Sequence, residues 1–255
     1  MENANNYAWK IESLRLSSFL KNESNNSQLE NWLKEISKNE PLSINKNVNQ
    51  FRGIAQVESS MLNLTWNNNR IDLLLNSNAP NVEKNIGDNN DIIRLMNDVL
   101  FGYFDVQDCP VSNRLAIGII LNIPIKTLDE GANVLQPKLK SVTNLKGTSD
   151  FLYRNNRPTK SKIISGLGLN RLMTWSIAQM QLVNIQFNVG QPNIAQPKID
   201  GQKTNPELMC RLEMDFSTIV DDSIEMSADQ QKLIAKEILT EAMKVVENGE
   251  FGIEK

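Results

Sequence analysis

Apolar side chains recur along this chain at two spacings, every second residue and every third or fourth, and the switches between the two mark out its elements. In residues 8–20, Trp9, Ile11, Leu14 and Leu16 predict a first strand, with a slip of phase after Ile11 of the kind a β-bulge absorbs. Ser27 and Glu30 stand at capping-box spacing, and Leu29, Trp32, Leu33 and Ile36 follow at helical intervals, so a helix is expected over 28–37. Residues 52–66 and 70–76 alternate apolar and polar on either side of Asn67-Asn68-Asn69, which predicts a hairpin because asparagine tolerates positive φ. Ile92, Ile93, Leu95, Met96, Val99, Leu100 and Tyr103 form the stripe of a second helix that packs on a sheet.

The second half of the chain is patterned in the same manner. Residues 115–123 are almost continuously apolar, which predicts a central strand covered on both faces. Thr127 and Glu130 start another helix, which Pro137 helps to end. The odd positions Met173, Trp175, Ile177, Val183, Ile185, Phe187 and Val189 predict a long strand, or two strands joined by a bulge. Its expected partner is 208–216, with Leu208, Cys210, Leu212, Met214 and Phe216 on one face and Arg211, Glu213 and Asp215 on the other. Ser227 and Gln230 cap a last helix that stops at Asn248-Gly249.

This order of elements predicts an α+β fold of mostly antiparallel sheet with flanking helices. A turn-rich stretch at 107–112 divides it into two pseudo-similar α+β lobes, 1–110 and 111–255, or marks a bend in one continuous domain. The echo of Leu14-Arg15-Leu16 in Cys210-Arg211-Leu212 hints at duplication.

Composition narrows the chemistry. The 255 residues contain no histidine, which excludes within this chain Ser-His-Asp triads, Cys-His pairs and His-ligated zinc. Two cysteines, Cys109 and Cys210, are too few and too far apart for a disulfide framework or a thiolate metal site, and they read as buried apolar residues. A net charge of −3 argues against a surface that is basic throughout, so any contact with nucleic acid must be local. No apolar run is long enough to span a membrane, and the N-terminus lacks a secretory pattern, so no membrane partner and a cytoplasmic location are expected. Asparagine, roughly one residue in eight, fits turns, caps and a microbial coding bias.

Eight basic residues against one acidic, Asp150, fall between Lys138 and Arg171. Tyr153, Arg154, Arg157, Lys160 and Lys162 form the centre of this segment and are the candidate nucleic-acid or phosphate contacts, since guanidinium forks bind phosphate and aromatic rings stack on bases. The competing reading is a solvated loop whose charges keep it soluble, or one that pairs with the acidic remainder of the protein. Ser165-Gly-Leu-Gly-Leu-Asn170 lacks the third glycine and the helix of a dinucleotide fingerprint and reads as a turn. Glu213 and Asp215 are the carboxylates a histidine-free metal site would use, although their alternation with Arg211 favours a cross-strand charge ladder. Ile194 and Ile199, in a proline-bearing connection over 190–206, are candidate partner-binding residues. Trp9 is placed to cover a surface.

No catalytic set, metal site or cofactor motif emerges, so the enzyme question stays open and leans towards no. The function expected is a non-catalytic binding or assembly subunit of a multiprotein complex, with other protein subunits as partners and a nucleic-acid backbone contact through the basic segment. A histidine-free metal-dependent nuclease or phosphoesterase, and a homo-oligomeric scaffold, are the alternatives.

Overall fold

A computed structural model describes residues 7–21, 27–77, 85–180, 185–186, 198–199, 207–221 and 223–253. The strands are β1 (Lys10–Leu20), β2 (Ser43–Lys46), β3 (Gln50–Val57), β4 (Ser60–Asn67), β5 (Arg70–Ser77), β6 (Ser112–Ile125), β7 (Leu152–Asn156), β8 (Thr159–Lys160), β9 (Gly168–Met180), β10 (Ile185–Gln186), β11 (Lys198–Ile199) and β12 (Glu207–Thr218). The helices are α1 (Leu29–Ser37), α2 (Asp91–Asp98), α3 (Leu128–Leu135) and α4 (Ala228–Asn248). Ten strands form one antiparallel sheet in the order β2-β3-β4-β5-β1-β6-β12-β9-β7, with β8 also on β9, while β10 and β11 pair separately. The protein is therefore α+β, with an antiparallel sheet and flanking helices.

Helices cover one face of this sheet. Leu16, Leu73 and Leu64 lie in register across β1, β5 and β4, and Ile117, Phe216 and Arg171 continue the row on β6, β12 and β9. All six are buried. Leu33 of α1 packs over Gly53 of β3, Gly131 of α3 lies against Ile125 and Ile177, and Glu241 of α4 meets Arg171. All these partners point to the same side, where one continuous core forms. The row on the opposite side runs Ile54, Asn63, Leu74, Arg15, Gly118, Asp215, Leu172, and each of these residues keeps partial or full exposure.

Each half runs strand, helix, strands, helix, and the halves meet where β1 lies antiparallel to β6 at the middle of the sheet. Leu14, Leu16, Ile117 and Ile119 bury this seam almost completely. The halves are tied again by Ser18, whose hydroxyl donates to Gln231 of α4 at 3.3 Å, and by Gln231, whose amide donates to the Pro110 carbonyl at 2.8 Å.

The structure corrects several expectations. Residues 52–66 are not one strand but β3 and β4, reversed at Glu58, which adopts a left-handed φ of 52°. The start of α1 is Gln28, with no side-chain cap bond, in place of the box expected from Ser27 and Glu30. The second helix ends at Asp98, and Leu100–Asp105 tightens into a 3₁₀ helix. Strand β6 is central, but the described elements cover only one of its faces, leaving Gly118 and Ile120 partly exposed. The echo of Leu14-Arg15-Leu16 falls on non-equivalent strands, because β1 opens its half and β12 follows β9 late in the other. Trp9 is buried and packs edge-on against Trp175, with ring centroids 6.0 Å apart.

Candidate binding face of the sheet

The basic segment is not a solvated loop. It folds into β7 and β8 at one edge of the sheet, and strand alternation divides its residues between two environments. Tyr153, Asn155 and Arg157 turn towards the helices and converge on Glu250, which is fully buried just beyond α4. The Tyr153 hydroxyl donates to Glu250 Oε1 at 2.9 Å, the Asn155 amide at 3.0 Å and the Arg157 guanidinium at 3.4 Å. The Lys140 and Ser141 backbone amides donate to the other carboxylate oxygen at 2.9 and 3.3 Å. Burial alone would raise the Glu250 pKa, but the bonds from Asn155, Tyr153 and the two amides outweigh it and hold the carboxyl below its usual range.

Lys162 and Ser161 belong to the same seam, because Glu237 of α4 accepts from the Lys162 amide at 2.6 Å and from the Ser161 hydroxyl at 2.6 Å. Of the five candidate contacts, Tyr153 and Arg157 thus serve internal packing, while Arg154, Lys160 and the Lys162 side chain are exposed. Arg154 stands on the uncovered side of β7, in register through Thr174 with Glu213. Lys160 lies on the same side of β8, opposite Gly168.

That uncovered face is densely charged, and arginine dominates it. Arg15 meets Asp215 at 3.2 Å, Arg70 meets Asp72 at 2.7 Å, and Arg211 meets Glu12 at 3.1 Å and Glu213 at 2.7 Å. Glu213 is therefore held along its own strand by Arg211, and Asp215 is held by Arg15 of β1 across the intervening β6. No group of three or more acidic or cysteine residues placed to hold a metal occurs among the described residues. Near one end, the guanidiniums of Arg70 and Arg114 lie over the Phe19 ring, 5.1 and 4.7 Å from its centroid.

Sequence reasoning found Arg154 but missed the face to which it belongs. The signal was present: Arg15, Arg52, Arg70, Arg114 and Arg211 each occupy the polar phase of an alternating strand. What one chain segment does not reveal is that five strands would set those phases side by side.

The glycine pair at 166 and 168 is a turn, as its missing third glycine suggested, with Gly166 at φ 85° and Gly168 opening β9. Ile194 lies outside the described residues, and the backbone of Ile199 pairs with Ile185 in the small β10–β11 ladder. Burial pushes both Cys109 and Cys210 up to about 12, which suppresses the reactive thiolate. Two hollows flank α4. One of about 480 Å³ lies against α2 between Ile93 and Met243, and one of about 380 Å³ lies against α3 beside Trp9 and Pro137.

No helix among the described residues is long and apolar enough to cross a membrane. Comparison with protein-family models, curated proteins and solved structures finds no match for this chain.

Proposed function

We propose that this chain is a non-catalytic binding and assembly subunit, which engages a partner protein by accepting a strand along the free edge of its sheet at β2. The observation that supports this most directly is the edge itself. All four residues of β2 are exposed, and Leu42, Ile44 and Val48, in or beside it, are 61%, 38% and 87% exposed. An edge strand presents unpaired backbone donors and acceptors, and proteins usually blunt such edges with charge, proline or a covering element. Here Lys46 is the one charged residue in the strand. Backbone pairing would supply affinity, and the apolar pair Leu42 and Ile44 would select the partner strand. A free edge of this kind equally accommodates a second copy, as in the scaffold alternative.

The test combines Leu42→Lys with Ile44→Lys and compares the variant with the natural chain in affinity capture and in light scattering. We expect the double variant to lose at least tenfold in affinity for the captured partner, or to lose self-association, with its thermal midpoint unchanged. Identical capture and identical mass for both chains would reject the edge as the binding surface.

A further inference from the structure

The arginine-rich face of the sheet points to a ligand of its own, and we propose that it holds a single-stranded nucleic acid. Six of the chain's nine arginines, at 15, 52, 70, 114, 154 and 211, lie on this face, together with Lys10 and Lys160. Among the described residues the acidic ones there are Glu12, Asp72, Glu207, Glu213 and Asp215, so basic groups outnumber acidic ones although the whole chain carries −3. Arginine does not concentrate on one face to satisfy these acids, because three arginines already account for the ion pairs to four of them.

Arg52, Arg114 and Arg154 have no acidic partner among the described residues. They stand on β3, β6 and β7, and the seven strand intervals from β3 to β7 cover about 34 Å at about 4.8 Å each. Such a spread suits an extended polyanion and not a compact one. Guanidinium planes bind phosphates bidentately and also stack on exposed bases, and Phe19 with its two covering guanidiniums supplies a stacking platform on the same face.

Between the arginines lie Asn63, Asn76, Thr174 and Ser176, which offer the donors and acceptors that base edges and sugar hydroxyls need. An acidic protein segment would use the arginines and would bond that amide and hydroxyl set through its backbone, but it has no base planes to lay on the platform at Phe19. A duplex keeps its bases stacked and would present only phosphates to a broad face, whereas a single strand can lay bases against it.

The experiment measures fluorescence anisotropy of labelled oligouridylate and oligothymidylate, roughly a dozen nucleotides long, against a duplex of equal charge. Three phosphate contacts give a slope of log affinity on log salt of about −2. Arg52→Glu and Arg154→Glu, both at exposed positions, are each expected to weaken binding about tenfold, and Phe19→Leu to weaken it several-fold at high salt, where stacking carries more of the affinity. Lys236→Glu, on the helix-covered side, should leave binding unchanged. Thermal midpoints of the variants verify folding. No binding of either single strand at low salt, preference for the duplex, or equal loss with Lys236→Glu would overturn the proposal. So would polyglutamate competing as well as the oligonucleotide, which would assign the face to an acidic protein.

Discussion

At the scale of single residues, Glu250 is the most consequential side chain outside the binding surfaces. It gathers five donors from the segments 140–141 and 153–157 while wholly removed from solvent, and so ties the edge of the sheet to the end of the last helix. Glu250→Gln keeps one acceptor oxygen but turns an amide either towards the Lys140 and Ser141 backbone N–H groups or towards the Arg157 guanidinium, all of which can only donate. We expect a loss of about 2 kcal/mol, read from the urea midpoint. The same carboxyl predicts a pH dependence. Its folded pKa lies below the unfolded value of about 4.3, so its contribution is complete above that value and disappears as the pH falls through the lower folded one. The natural chain should therefore lose more stability than the glutamine variant between neutral pH and pH about 3. Cys109 and Cys210 should resist a thiol reagent at pH about 8 until the protein is unfolded, since burial keeps both protonated.

At the scale of elements, α4 shows how strongly local sequence can specify structure. Ser227 accepts from the Gln230 amide, and the Gln230 side chain accepts from the Ser227 amide at 3.0 Å, a complete capping box. Ser227→Ala is expected to cost about 1 kcal/mol in thermal or chemical unfolding. At the other end, Gly249 adopts a φ of 64°, and a β-carbon there would fall 2.2 Å from the Lys138 carbonyl oxygen. Gly249→Ala should therefore exceed Ser227→Ala in cost, because a backbone must move as well as a conformation be strained.

These ends were legible because capping residues act within four positions of one another. The β4–β5 hairpin and the β9–β12 pair were legible for a similar reason, since each apolar phase of two faces a helix-covered core. By contrast β2 and β7 are edge strands whose side chains are largely exposed, so alternation leaves no apolar trace in them. The turn at Glu58 was hidden because neither glycine nor asparagine occupies the left-handed position. The binding face was illegible as a unit for a topological reason: Arg52 and Arg154, near opposite ends of the sheet, come to share one face only because β1 and β6 join its halves.

At the scale of the whole molecule, that junction governs cooperativity. We propose 1–110 and 111–255 as the two lobes, and each, expressed alone, would expose one side of a seam built from Leu14, Leu16, Ile117 and Ile119. Neither fragment is expected to unfold cooperatively on its own. Mixing the two should restore a sigmoidal melt and a particle of the summed mass by light scattering. A fragment that melts cooperatively in isolation would show that its lobe is an independent domain.

Repetition of strand, helix, strands, helix inside one polypeptide carries a different consequence. Where two identical chains pair about an axis, every substitution is felt twice, and neither side can specialise without the other. Here each half has its own stretch of sequence, and the helices that close the two differ, α2 with 8 residues and α4 with 21. One half is thereby free to take on a task that strict symmetry would have forbidden.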